Sequence, residues 1–142
     1  MVTVLALSAG MAAPGTACGR RDHDRSEAAK VLRALEVVRA APNEAKRRPA
    51  DELAHEPCSS SLVCSARDSC AEAYQHLARG TEAALRVKKE LDKVEGDLQV
   101  SPAKMTELSK ELDRADTEIS GARDSLRRCE EAASLMRRTF GI

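Results

Sequence analysis

The fold is decided by two stretches, residues 66–98, ARDSCAEAYQHLARGTEAALRVKKELDKVEGDL, and residues 105–140, MTELSKELDRADTEISGARDSLRRCEEAASLMRRTF. In both, apolar or small residues recur at alternating steps of three and four, which is typical of helices that pack along one seam. The first set comprises Ala66, Cys70, Ala73, Leu77, Gly80, Ala84, Val87, Leu91, Val94 and Leu98. The second comprises Met105, Leu108, Leu112, Ala115, Ile119, Ala122, Leu126, Cys129, Ala133, Met136 and Phe140. The pattern predicts an all-α fold built on two long helices.

A short break between the two stretches predicts how the helices are joined. Gly96 suits the end of a helix and Ser101-Pro102 suits the start of the next. We therefore expect helices over about residues 60–95 and 102–139, joined by about six residues. So short a connection makes the two helices antiparallel neighbours, which is a coiled-coil-like hairpin.

The length of the loop also predicts the register of the hairpin. Residues that face each other should have numbers that sum to about 199, which sets Gly80 opposite Ile119 and Cys70 opposite Cys129. A glycine on the apolar stripe then reflects close approach of the second helix. A register one turn away, with a sum of about 202 or 203, would also keep the stripes together but would separate the two cysteines.

A shorter N-terminal helix should brace the hairpin. Ser26 is a good N-cap and Pro42 a stop, so we expect this helix over about residues 26–41. It should cover the cysteine end of the hairpin, within a single domain over residues 26–142. Pro49 could open a short helix in the linker that follows. The distal half of the hairpin is then left without a third helix.

The first 25 residues indicate export. Val2 to Ala13 is uncharged and largely apolar, about as long as the core of a signal peptide and too short to span a bilayer. Small residues before Cys18 resemble a bacterial lipoprotein cleavage site, although Gly15 stands where a large aliphatic residue is usual. The resemblance implies a leader over residues 1–17 and a lipid on Cys18, followed by a charged tether over residues 18–25. Simple secretory cleavage near Ala13 or Ala17, or an uncleaved anchor, is the alternative.

The other four cysteines form an even set, which in an exported chain predicts disulfides. With Cys70 bonded to Cys129, Cys58 pairs with Cys64 by elimination. The alternatives are a bond from Cys58 or Cys64 to Cys129. A metal site formed by these cysteines with neighbouring histidines is disfavoured, because five residues separate successive cysteines and structural zinc sites favour two to four.

The composition and the motifs narrow the classes of function that the chain could have. The chain has 23 basic and 23 acidic residues, so its formal net charge of zero offers no broad field to attract nucleic acid. The basic pieces at Arg20-Arg21 and 46–48 are interpreted as solvated loops. No phosphate loop, nucleophile elbow or paired carboxylate motif is present, so we expect no enzyme, cofactor or metal.

Two functional hypotheses follow from the sequence. The first is an exported bacterial envelope or periplasmic protein, anchored through Cys18, that binds a protein partner or itself through Leu98, Val100 and Met105 at the hairpin tip. The second is a small soluble periplasmic binder or inhibitor that acts through the cysteine-rich linker, residues 42–64. Polar substitutions at the tip should abolish partner binding under the first hypothesis, and changes in the linker should do so under the second.

Overall fold

The computed structural model describes residues 16–94 and 100–142, and all of the regular structure in them is helical. Helix α1 is Thr16–Ala40, α2 is Arg47–Ala54, α3 is Ser61–Val94 and α4 is Pro102–Phe140, with a 3₁₀ turn at Asn43–Ala45. Helices α3 and α4 pack closely along their length and form the predicted antiparallel hairpin. The all-α prediction is confirmed.

The ends of α4 have the predicted caps. The Ser101 hydroxyl accepts a hydrogen bond from the backbone N–H of Lys104 at 3.2 Å, and Pro102 occupies the first helical position. At the other end Gly141 adopts a left-handed conformation with φ of 64° and donates its N–H to the Arg137 carbonyl at 2.8 Å. Both arrangements satisfy backbone groups that a helix end leaves unpaired.

Two disulfides hold the chain, and both are the predicted pairs. Cys70 is bonded to Cys129 across the hairpin, with their Cα atoms 4.5 Å apart, and Cys58 is bonded to Cys64. A methyl group on Gly80 would lie 2.6 Å from Cγ1 of Ile119. The register that sums to 199 is therefore confirmed, and the alternative cysteine pairings are wrong. Disulfides of this kind indicate an exported, non-reducing environment.

Helix α1 begins ten residues before the predicted start at Ser26, since its first residue is Thr16. Residues 18–25 are therefore helical and not a loose tether, and Ser26 lies inside the helix. The segment carries no apolar face, which is why periodicity misses it. Extending a helix that is already docked requires no new nucleus, and no proline interrupts residues 16–41.

The linker after α1 is also more ordered than its prolines suggest. Helix α2 begins at Arg47, before the predicted start at Pro49, and packs antiparallel on the outer side of α3. The Asp51 carboxylate accepts a hydrogen bond from the Gln75 amide at 3.0 Å, and Arg47 Nε lies 3.0 Å from Glu82.

The hydrophobic core lies at the disulfide end, where α1, α2 and the base of the hairpin meet. Its fully buried members come from every one of these elements and include Leu35, Val38, Leu53, Val63, Cys70, Cys129 and Met136. Helix α1 runs antiparallel to α4 and parallel to α3. It therefore covers the base of the hairpin, as predicted, and ends well short of the tip.

Candidate interaction surface

A buried lysine fixes the C-terminal end of α1. Lys46 Nζ donates to the backbone carbonyls of Val38, Arg39 and Ala41 at 2.8, 3.1 and 2.6 Å. These are acceptors that the end of a helix leaves unpaired. The ammonium also lies 5.7 Å from the centre of the Tyr74 ring, and burial lowers the pKa of Lys46. The interpretation of residues 46–48 as a solvated basic loop is wrong for Lys46.

A buried carboxylate ties the N-terminal half of α1 to the start of α3. Glu27 accepts hydrogen bonds from the backbone N–H of Ser59 at 2.8 Å and from its hydroxyl at 3.0 Å. The backbone hydrogen bond from Ser59 lowers the pKa of Glu27 and outweighs the opposing effect of burial. Together Lys46 and Glu27 set the position of α1 on the hairpin.

One side of the hairpin is lined by ion pairs between α3 and α4. Glu118 lies 2.6 Å from Nδ1 of His76 and accepts from Nε of Arg79 at 3.1 Å. Partial burial raises the pKa of Glu118, but the hydrogen bonds with His76 and Arg79 bring it below its usual value. Closer to the tip, Arg86 pairs with Glu111. Ion pairs near the protein surface add little stability, so the main effect of these pairs is to keep this side of the hairpin polar.

The opposite side of the hairpin is apolar, and each helix carries two columns of apolar residues there. The first column faces the other helix and is buried along the hairpin: Ala73, Gly80 and Val87 in α3, and Leu108, Ala115 and Ala122 in α4. The second column lies beside the first, on the side that α1 occupies. This placement follows because Glu130 and Arg137, which pair with α1, each follow a second-column residue by one helical turn.

Exposure of the second column rises from the base to the tip. Under α1, Cys70 and Ala133 have relative exposures of 1% and 0%. Beyond α1 the exposures are 40% for Leu91, 47% for Leu112 and 49% for Met105. We define the distal stripe as the second-column residues of this uncovered part, Ala84, Leu91, Met105, Leu112 and Ile119.

The end of α1 explains why the distal stripe is uncovered. Helix α1 ends at Ala40, the chain turns at Pro42, and α2 returns toward the base on the other side of α3. A 3₁₀ turn at Asn43–Ala45 contacts α3 just after α1, but no helix in the described part of the chain continues along the path of α1. The stripe extends over 15 residues of α4, from Met105 to Ile119, which is a rise of about 21 Å at 1.5 Å per residue.

The residues predicted to contact a partner lie in different places relative to the distal stripe. Met105 belongs to the distal stripe, and Val100 is half-buried just before α4. Leu98 lies outside the described residues, and so does the side chain of Cys18. The spacing of Leu112 assigns it to the seam and not to a binding surface. The lack of a third helix over the distal half is the signal that indicates its 47% exposure.

Other kinds of site find no support in the described residues. No group of three or more His, Cys, Asp or Glu side chains in residues 19–93 and 100–142 is placed to hold a metal ion. None of the helices, as far as the structure describes them, combines the length and the apolar character that crossing a membrane requires.

Comparison with known proteins assigns neither a family nor a function to this chain. No protein-family model, no curated protein and no solved structure matches the chain. The function is therefore argued from the distal stripe and its surroundings.

Proposed function

We propose that this protein is a non-enzymatic component of a bacterial envelope, anchored by a lipid on Cys18, that binds another protein through the distal stripe. The observation that carries the proposal is the row of exposed apolar side chains beyond the end of α1. Single exposed apolar residues are common on proteins, whereas several in one contiguous row favour an interaction site.

The position of Cys18 supports anchoring. Cys18 lies in the first turn of α1, and α1 runs parallel to α3, so its N-terminal end and the hairpin tip lie at opposite ends of the protein. From Cys18 to Ala40 the helix rises about 34 Å. A lipid on Cys18 would hold the base near the membrane and present the distal stripe farther away, within reach of a partner.

Anchoring predicts a definite mass for the protein from its native envelope. We expect a chain that begins at Cys18 and carries lipid mass, with no thiol open to alkylation before reduction and four after it. Intact mass spectrometry with and without reduction measures this. A chain that begins at Val2 with five alkylated thiols would refute both anchoring and export.

Partner binding should depend on the distal stripe. We expect Met105→Glu with Leu112→Glu to lower the yield of a cross-link to an envelope protein at least about tenfold, because binding would bury both apolar side chains. The measurement uses the full chain in its envelope with a photo-reactive residue at Ser109, an exposed position beside the stripe.

Two controls make the result specific. Leu135→Glu introduces the same charge at an α4 position of matched exposure, 46%, outside the stripe, and should leave the cross-link intact. Arg48→Glu with Glu52→Lys tests the linker, residues 42–64. Loss of the cross-link in the linker variant alone would favour the second hypothesis, and loss in neither would reject both.

A further inference from the structure

The way α1 binds the hairpin shows what kind of element fits this side of it. Its buried face, formed by Val31, Leu35 and Val38, packs over the base of the seam. Two ion pairs with α4 flank this contact: Glu36 accepts from Arg137 at 3.1 Å, and Arg39 pairs with Glu130. The base of the hairpin is therefore a seat for one amphipathic helix with an acidic residue and, three residues later, a basic residue.

The row of charged residues on α4 that pairs with α1 continues toward the tip, beyond the end of α1. Arg137 and Glu130 are seven residues apart on α4, and two further steps of seven toward the tip lead to Arg123 and Asp116. The alternation of basic and acidic residues is thus repeated beside the distal stripe. Within the described chain, Arg123 and Asp116 form no ion pair, and neither has an opposite charge three or four residues away on α4.

The first candidate to cover the distal stripe is the N-terminal segment of this chain. Residues 1–15 join α1 at its N-terminal end, one full α1 length from the stripe. Helix α1 rises about 37 Å over its 25 residues, whereas a helix of 15 residues spans only about 22 Å. A helix formed by these 15 residues would therefore be too short to reach the distal stripe.

A second copy of the chain also fits poorly. Two hairpins packed face to face in parallel would press α1 against α1 and hold the stripes apart. In an antiparallel pair centred on Leu112, Lys88 would lie beside Lys88 of the second copy. Asp116 would then lie far from Arg123 of that copy. An antiparallel pair that sets Asp116 opposite Arg123 must instead be centred between residues 119 and 120. That pair would place Met105 of one copy over the part of α4 that α1 covers in the other.

We propose that the distal stripe binds one amphipathic helix of another protein, about 14 residues long, which continues the path of α1. Its apolar face covers Leu91, Met105 and Leu112. An acidic residue pairs with Arg123 and a basic residue three positions later pairs with Asp116, as Glu36 and Arg39 do at the base. This inference rests on the proposed function and specifies the partner at the same site.

The test uses a helix that already matches this seat as its probe. The probe is a fluorescent synthetic peptide of residues 26–41, with a hydrocarbon link between positions 33 and 37, both exposed in α1, to keep the short peptide helical. Fluorescence anisotropy measures its affinity for the full, oxidised chain. We expect saturable binding that Met105→Glu with Leu112→Glu abolishes and Leu135→Glu leaves unchanged.

Charge exchange tests the pairing. Asp116→Arg with Arg123→Glu should weaken binding of the peptide at least tenfold, and a peptide with Glu36→Arg and Arg39→Glu should recover most of that loss. Both protein positions are exposed, so circular dichroism should show unchanged folding. Absence of binding by either peptide at 1 mM, or binding that ignores the exchanged charges, would overturn the proposal.

Two further outcomes separate this inference from the proposed function. Analytical ultracentrifugation could instead show a dimer that dissociates in the stripe variants. That result would identify a second copy as the element bound to the distal stripe and would overturn the single-helix proposal. If the envelope cross-link needs Leu112 but tolerates the exchanged charges at positions 116 and 123, the proposed function stands and the helix pairing fails.

Discussion

Replacing Cys70 and Cys129 together by alanine is expected to lower the free energy of unfolding by about 2–4 kcal/mol. The bond joins residues 59 apart, and closing so long a loop removes much of the conformational entropy of the unfolded chain. Alanine suits both sites, because both cysteines are buried and their neighbours on the seam, Ala73 and Ala133, are small. Denaturant unfolding followed by circular dichroism measures the change.

The second disulfide is the matched control. Cys58 and Cys64 are only six residues apart, so the same entropy argument gives about 2 kcal/mol for Cys58→Ala with Cys64→Ala. The long-range pair should therefore be the more costly to lose. An equal or smaller loss for Cys70 and Cys129 would contradict the view that the cross-link acts through the unfolded chain.

The position of the long-range disulfide matters for the distal stripe. Residues 71–128, between the two cysteines, include the whole distal hairpin, which α1 does not cover. The core that holds the protein together lies at the other end. A bond at the boundary limits how far α3 and α4 can separate, and this allows an apolar surface to stay exposed on a hairpin of only two helices.

The parts of the fold that follow from local periodicity could be predicted from the sequence. The steps of three and four define both long helices, and the short connection makes them antiparallel. The register then follows from chemistry, because it alone brings Cys70 to Cys129 and gives Gly80 a reason to lack a side chain. These features depend on residues near each other in sequence or on one geometric rule.

The parts that depend on long-range contacts could not be predicted. Nothing near Lys46 in the sequence indicates that its ammonium caps α1. Nothing near Glu27 indicates that its carboxylate accepts hydrogen bonds from Ser59. The exposure of the distal stripe could not be predicted for a different reason. Heptad spacing assigns Leu91 and Leu112 to the seam, but whether a third element covers the second column depends on where α1 ends.

Replacing Gly80 by alanine is expected to lower the free energy of unfolding by about 1–3 kcal/mol, although alanine favours helix by up to about 1 kcal/mol. The added methyl group would lie 2.6 Å from Cγ1 of Ile119, 3.1 Å from the carbonyl oxygen of Ala115 and 3.2 Å from the backbone nitrogen of Ile119. The side chain of Ile119 is stiff at χ1, and the backbone contacts can be relieved only by moving the two helices apart. Thermal and denaturant unfolding measure the change.

Gly121→Ala separates this close approach from helix propensity. Gly121 also lies in the hairpin, but the nearest atoms to an added methyl group are Nδ1 and Cε1 of His76, at 3.8 and 3.9 Å, which is ordinary contact. This variant should gain up to about 1 kcal/mol. Stabilisation by both substitutions would show that α3 and α4 can separate at Gly80 at little cost. In the destabilised Gly80→Ala protein, Ile119→Ala should cost less than it does alone, because it removes the closest contact; the backbone contacts with Ala115 and Ile119 remain, so the relief is only partial.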